Sequence, residues 1–218
     1  MAQRFTVHPG NPQLRLLKQA ARMFDGGAVG AIPTDSSYAL ACHLDDKAAV
    51  DRIRLLRRLD DRHHMTLLCR DLSSISTYAQ VDNSTYRLLR LATPGPFTFI
   101  LPATREVPRR LSHPSRKTIG IRVPDHVVAL GLLGELAEPL IATTLQLPGD
   151  LEPMSDAAEI WLRMQRELDL LIDSGNCGLL PTTVIDLSGP VPRVLRLGCG
   201  DPGALGIEAE PDLAHGGG

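Results

Sequence analysis

Ala28-Val29-Gly30-Ala31-Ile32-Pro33-Thr34-Asp35-Ser36-Ser37-Tyr38-Ala39-Leu40-Ala41-Cys42-His43 is the stretch that decides the fold. Ala28 to Ile32 is a short apolar run closed by Pro33, the pattern of a strand buried on both faces. A polar turn, Thr34 to Ser37, follows, and Tyr38 to His43 reads as a second strand. A buried strand that delivers hydroxyls and a carboxylate to its carboxyl end builds the kind of wall where open α/β sheets bind ligands. A turn in which Asp35 and Ser36 cap their own backbone fits the same residues.

Upstream, Asn11 is positioned to cap a helix opened by Pro12, with Leu14, Leu16, Leu17, Ala20, Ala21 and Phe24 on its apolar face and Gly26-Gly27 stopping it. Downstream, Asp45-Asp46 start a helix through Arg58, and Met65 to Cys69 returns to strand. Asp71 to Tyr78 and Asn83 to Ala92 read as helices opened by Asp or Asn caps, the second broken by Thr93-Pro94-Gly95-Pro96. Phe97 to Leu101 is a strand, Arg105 to Arg116 a basic loop, and Ile119 to Val123 a strand ended by Pro124. His126 to Leu136 and Ser155 to Glu167 read as helices. Leu140 to Leu145, Leu168 to Asp173, Thr183 to Leu187 and Arg193 to Leu197 supply the remaining apolar runs.

Short strands interleaved with helices predict an α/β (α+β) fold with a twisted, open, mixed sheet. One domain over residues 1–206 is expected; apolar periodicity is missing from Pro202 onward, and residues 207–218 are expected as a disordered tail. The hydrophobic fraction of 43% and charged fraction of 22% exclude a disordered or membrane class. No signal-peptide core and no apolar run of roughly 20 residues occurs, so neither secretion nor membrane insertion is predicted. Cys42, Cys69, Cys177 and Cys199 form no CxxC pair, which removes the usual zinc and thioredoxin spacings and suits a reducing cytoplasm.

The net charge of −2 hides an uneven distribution. Arg52, Arg54, Arg57, Arg58, Arg62 and Arg70 crowd one segment, and Arg105, Arg109, Arg110, Arg116, Lys117 and Arg122 another. Such clustering leaves room for a groove that takes an anionic partner despite the negative net charge. Arg57 and Arg58 close a helix, where a cation compensates the dipole; beside His63-His64 their guanidinium forks equally match phosphate. His63-His64 lacks metal-ligand spacing. Thr98, the Thr143-Thr144-Leu145-Gln146 strand end, Thr182-Thr183 and Arg196 present further hydroxyls, an amide and a cation. No GxSxG elbow, no GxxxxGK[ST] loop and no GxGxxG turn is present. The residues alone therefore lead to a polar, cationic pocket on an α/β sheet.

Taken in order, Pro33-Thr34-Asp35-Ser36 with Tyr38-Ala39-Leu40, Pro94-Gly95-Pro96-Phe97-Thr98-Phe99-Ile100-Leu101, Ile121-Arg122-Val123-Pro124, Pro181-Thr182-Thr183-Val184-Ile185-Asp186-Leu187 and Arg196-Leu197-Gly198 resemble the segments of the YrdC-like family, and within it the YciO branch. The resemblance implies a twisted sheet with a positively charged concavity and synthesis of L-threonylcarbamoyl-AMP from L-threonine, bicarbonate and ATP, for modification of tRNA. It also implies binding of double-stranded RNA and Mg2+ held by the ATP phosphates, with no protein nucleophile. By position, Thr34, Ser36, Thr144 and Thr182 stand as threonine contacts, and Arg57, Arg58, His64, Thr98, Gln146 and Arg196 as nucleotide contacts. Arg109, Arg110, Arg116 and Lys117 are the expected RNA contacts. Two signatures depart from the synthases: Arg57-Arg58-Leu59 stands where they carry Lys-x-Arg, and Thr144-Leu145-Gln146 where they carry Ser-x-Asn. Hydrolysis or transfer of a related carbamoyl adenylate, or nucleotide and RNA binding without synthesis, is open to the same pocket.

Overall fold

The computed structural model describes residues 2–60, 63 and 65–208. Its helices are α1 (Leu14–Asp25), α2 (Lys47–Arg57), α3 (Leu72–Tyr78), α4 (Asn83–Ala92), α5 (Val127–Gly134) and α6 (Ala157–Met164), and a 3-10 turn spans Pro202–Leu205. The strands are β1 (Gln3–Thr6), β2 (Gly30–Ile32), β3 (Ala39–His43), β4 (Thr66–Leu68), β5 (Phe97–Pro102), β6 (Thr118–Arg122), β7 (Leu140–Thr144), β8 (Leu170–Asp173), β9 (Thr183–Asp186) and β10 (Arg193–Arg196). They form one mixed sheet in the order β1-β8-β2-β3-β7-β4-β6-β5-β9-β10. β1/β8, β2/β8, β4/β6 and β5/β9 pair parallel; β2/β3, β3/β7, β4/β7, β5/β6 and β9/β10 pair antiparallel.

The caps explain where most helices start. Asp46, Asp71 and Asp82 accept from the backbone amides of Ala49, Ser74 and Thr85 at 2.9, 2.8 and 2.7 Å, each satisfying a donor that the first turn leaves unpaired. For α4 the cap is thus Asp82, with Asn83 the first helical residue. The expected Asn11 cap and Pro12 opening are not observed: α1 begins at Leu14 behind Gln13. The reason is a local competitor. His8 Nδ1 accepts from the amides of Gly10 and Asn11, holding these residues in a turn ahead of the helix.

The two faces of the sheet are covered unequally, and this difference creates the site. On one face Leu40, Leu67, Phe99, Ile121, Ile141 and Ile185 pack in a core with α2, α3, α4 and α6 side chains such as Ile53, Ile75, Leu89 and Ile160. On the other, α1 and α5 bring Leu17, Phe24, Val128 and Leu132 against Ile32, Ala41, Leu140 and Ile172, over the β1-to-β7 half of the sheet. Each side chain fully buried in this way contributes about 1.5–3 kcal/mol relative to leaving it in water. Beyond Leu68 of β4, which joins this second cluster, the second face has no such cover over β6, β5 and β9.

From Pro202 to Glu208 the chain is more ordered than its composition predicts, and the rest of the expected tail, 209–218, lies outside the described residues. Pro202–Leu205 turns under an Asp201 cap, and Ile207, expected to open a disordered tail, is buried in the first core. Strand β1 was not anticipated, because only Phe5 of its four residues is buried and its hold is a parallel pairing with β8, far away in sequence.

Candidate functional site

The uncovered half-face is the floor of a cavity of about 650 Å³, within the size range of small-molecule sites. Strand alternation builds this floor: Thr66 and Leu68 of β4, Gly120 and Arg122 of β6, Thr98 and Ile100 of β5, Ala142 and Thr144 of β7 and Val184 of β9 all line it. Leu67, Phe99 and Ile121, which lie between them, are core residues of the opposite face. The walls are loops: Thr34 to Tyr38 after β2, Leu151 to Pro153 after β7, and Leu179 to Thr182 before β9.

One wall is a chain of hydrogen bonds that ends on a buried arginine. Thr34 Oγ1 donates to the Ser37 carbonyl at 2.6 Å and accepts from the amides of Ser36 and Ser37 at 3.2 and 3.3 Å. Its proton is therefore committed, so in the 3.1 Å contact between the two hydroxyls Ser36 is the donor. Ser36 Oγ in turn accepts from Arg122 Nη1 at 3.0 Å, while Arg122 Nη2 pairs with Asp35 Oδ1. Burial pushes the Arg122 guanidinium below its ordinary value, and the Asp35 charge opposes that shift. The alternative reading gave the capping of this turn to Asp35 and Ser36, but Thr34 caps it, and Ser36 and Asp35 hold Arg122 instead.

Across the floor, Thr98 Oγ1 and Thr182 Oγ1 are 2.9 Å apart. Arg196 Nε and Nη2 both donate to the Thr182 carbonyl, at 3.2 and 3.0 Å, and Nη2 also reaches the Thr182 hydroxyl at 3.3 Å. Two glycines permit this packing. A Cβ on Gly198 would sit 2.1 Å from the Pro181 carbonyl oxygen, and one on Gly178 would sit 2.6 Å from the Ser36 carbonyl oxygen. Only a residue without a side chain lets these backbones approach so closely. At the third side, Arg57 lines the cavity from the last turn of α2. Burial lowers its pKa, Asp150 counteracts part of that shift, and Nε has no hydrogen-bond partner among the described residues. Gln146 Nε2 donates to the Asp150 carbonyl at 3.0 Å, bracing the loop that carries Leu151 and Glu152 over the rim.

Thr34, Ser36, Thr144, Thr182, Arg57, Thr98, Gln146 and Arg196, expected from sequence, thus line one cavity. Arg58 does not. It closes α2 in the left-handed conformation (φ 52°), so the chain leaves the helix there and the side chain is exposed outside the cavity. His64 lies outside the described residues, whereas His63 beside it lines the cavity. The basic stretch does not join the site either. It connects the ends of β5 and β6 beyond the cavity floor, where Arg109 and Lys117 line a separate depression. Arg110 donates to the Leu44 carbonyl at 2.9 Å, and Arg116 pairs with Asp186 at 3.4 Å.

From sequence Asp35 was read only as the carboxylate of the strand-end turn and Arg122 only as part of a basic segment, and their pairing was not anticipated. The available signal was the alternation of Ile119 and Ile121, which places Arg122 on the opposite face of a strand whose other residues are apolar or small. Among the described residues no group of three or more His, Cys, Asp or Glu side chains is arranged to hold a metal ion, and no helix is long and apolar enough to cross a membrane. The donor set of the cavity is guanidiniums and hydroxyls, which suits anions and a cation that arrives already bound to phosphate.

The family profile for Sua5, YciO and YrdC proteins, described as "telomere recombination", matches residues 22–198. The Escherichia coli (strain K12) protein called uncharacterized protein YciO is 51% identical over 201 residues, covering 92% of this chain and 98% of its own length. The crystal structure of E. coli YciO superposes with a TM-score of 0.91 over 94% of this chain and 100% of that one. The threonylcarbamoyl-AMP synthase of Mus musculus is 30% identical over 193 residues, 84% of this chain and 67% of the mouse protein. The crystal structure of P. abyssi Sua5 complexed with L-threonine has a TM-score of 0.82 at 25% identity, over 89% of this chain and 57% of that one. On this match of sequence, fold and sheet-face cavity, the chain belongs to the Sua5/YciO/YrdC family.

Proposed function

We propose that the cavity joins an amino acid to a nucleotide, making L-threonylcarbamoyl-AMP from L-threonine, bicarbonate and ATP for a tRNA modification. The observation that carries this reading is the convergence of Arg57, Arg122 and Arg196 with two hydroxyl clusters on one open sheet face. The mouse relative is a threonylcarbamoyl-AMP synthase, and the P. abyssi relative was crystallised with L-threonine. In the proposed reaction the threonine amine takes up bicarbonate with loss of water to give a carbamate. A carbamate oxygen then attacks the α-phosphorus, and pyrophosphate leaves with the bonding pair of the broken P–O bond.

Such chemistry is served by positioning and by stabilising charge rather than by a protein nucleophile. Thr34, Ser36, Thr144 and Thr182 hold the threonine side; Arg57, Thr98, Gln146 and Arg196 hold the nucleotide. The contact between Thr182 and Thr98 marks the border between the two halves. A divalent ion such as Mg2+ would be held by the phosphates and would neutralise the departing pyrophosphate. Because Arg58 lies outside the cavity, one cation fewer meets the triphosphate than the Lys-x-Arg signature supplies, and losing one charged hydrogen bond weakens binding by roughly tenfold or more. This deficit favours, as a second reading, binding of a nucleotide or RNA without synthesis.

The test is to incubate purified protein with ATP, L-threonine and labelled bicarbonate. A label-bearing AMP adduct that requires L-threonine, formed together with pyrophosphate, is the expected result. Nucleotide binding without any adduct at high enzyme concentration would reject synthesis and leave the second reading.

A further inference from the structure

The basic loop between β5 and β6 does not present its cations as a row. Arg110 is turned to the Leu44 carbonyl and Arg116 to Asp186. Arg105, Arg109 and Lys117 instead converge on one hollow of about 720 Å³, which they line together with Gln80, Thr104 and Ser112 and which shares no residue with the sheet-face cavity. Its volume is that of a small-molecule site. None of the three cations has an ion pair or a side-chain hydrogen bond among the described residues. Glu106, the one carboxylate of the loop, is absent from the lining.

The hollow is braced. Lys117 stands in the left-handed conformation (φ 53°), uncommon for a residue with a side chain, and two backbone bonds keep it there: its amide donates to the His113 carbonyl and its carbonyl accepts from the Ala103 amide, both at 2.9 Å. His113 Nδ1 accepts in addition from the amides of Ser115 and Arg116, at 3.3 and 3.1 Å. Both ends of the loop are thus tied, and three like charges are gathered around one hollow with no counter-charge, a repulsion that a bound anion relieves. The neutral groups offer little else to a ligand. Thr104 donates its hydroxyl proton to the Thr77 carbonyl at 2.7 Å and Ser112 to the Arg109 carbonyl at 3.0 Å, and no aromatic ring lines the hollow to stack a base. What it reads is therefore charge. Three cations exceed what one carboxylate or one phosphate monoester neutralises. The phosphates of a nucleic-acid backbone are spaced along a line and are met by cations strung out in the same way, the arrangement that the turning away of Arg110 and Arg116 removes.

We propose that this hollow is a second anion site, for a compact polyanion carrying two or more linked phosphates. The probe is inorganic pyrophosphate, titrated into the isotope-labelled full chain and followed through the backbone amide resonances of residues 103–117. Saturable shifts of these amides are expected. Arg109→Gln combined with Lys117→Gln, which keeps the side-chain bulk and removes two charges, should weaken that response by about tenfold or more, while Thr98 and Val184 in the sheet-face cavity behave as in wild type. Loop amides that ignore pyrophosphate, or that respond equally in the variant, overturn the proposal. So does a loop that shifts with duplex RNA and not with pyrophosphate, which would make it a nucleic-acid surface. Should the variant fail to fold, wild type decides: pyrophosphate is expected to bind the loop at least about tenfold more tightly than inorganic phosphate, which brings fewer charges, and equal affinity overturns the proposal. A silent loop leaves the reading of the sheet-face cavity standing, because the two sites report through different resonances.

Discussion

Replacing Arg57 with Met should stabilise the protein and weaken nucleotide binding at the same time. Arg57 Nε is buried without a partner among the described residues, and burial depresses the pKa of the guanidinium. An unsatisfied buried donor costs about 1–3 kcal/mol. Against that, a cation in the last turn of α2 gains about 0.3–1 kcal/mol from the helix dipole, and Arg54 remains there to supply it. Met keeps the apolar stem and removes the donor, so the net gain is about 1 kcal/mol, or about 2–4 °C in Tm for a chain of this size. The functional side has the opposite sign. A charged hydrogen bond to phosphate is worth about 1.5–3 kcal/mol, so ATP affinity should fall by tenfold or more. Calorimetric melting and ATP titration of the same preparation check both halves. A lower Tm with unchanged ATP affinity would show Arg57 to be a structural residue and refute the reasoning.

Gly198→Ala should cost about 1–3 kcal/mol, because the new Cβ meets backbone atoms of Pro181 and Thr182 at 2.1 and 2.6 Å that cannot rotate away; thermal melts should show the loss, and ATP titration should weaken as Arg196 shifts with the Thr182 carbonyl. Thr182→Val removes the hydroxyl between Thr98 and Arg196 and should destabilise by about 1 kcal/mol, with both L-threonine and ATP binding reduced in titrations. His126 caps α5 by accepting from the Ala129 amide through Nδ1, and burial holds its pKa below the ordinary 6.5, with the Asp35 charge opposing. The unfolded chain therefore takes up the proton first. Its stability contribution is complete above about pH 6.5 and is lost as pH falls from there through the depressed folded value. His126→Asn, which retains a capping side chain, should flatten that part of a stability-against-pH curve measured by denaturant titration.

The strands of the sheet were legible wherever they are buried on both faces. β3, β5, β6 and β7 coincide with apolar runs, because a strand whose residues are buried almost throughout announces itself by composition alone. Most helix starts were legible too, since an Asp cap acts within three residues of its partner. β1, the true start of α1 and the burial of Ile207 were not, for each depends on a neighbour or a competitor that local periodicity does not encode.

The cavity shows the same division. By itself the sequence determined which residues line the cavity, because hydroxyls and guanidiniums at the ends and faces of apolar strands stand out from their surroundings. Thr34, Ser36, Thr98, Thr144, Thr182 and Arg196 were readable on that ground, and they converge. Only the tertiary structure decided which cations reach the site and in what electrical state. Arg57 enters and Arg58, one residue later, does not, because a left-handed cap turns the chain between them. Arg122 is neutralised by a carboxylate 87 positions away in the chain, a pairing set by the strand order β2-β3-β7-β4-β6 rather than by any local motif. The physical reason is range: hydrophobic periodicity and capping act over a few neighbouring residues, whereas the charge felt at a buried site is summed over every group that the fold brings within a few ångströms.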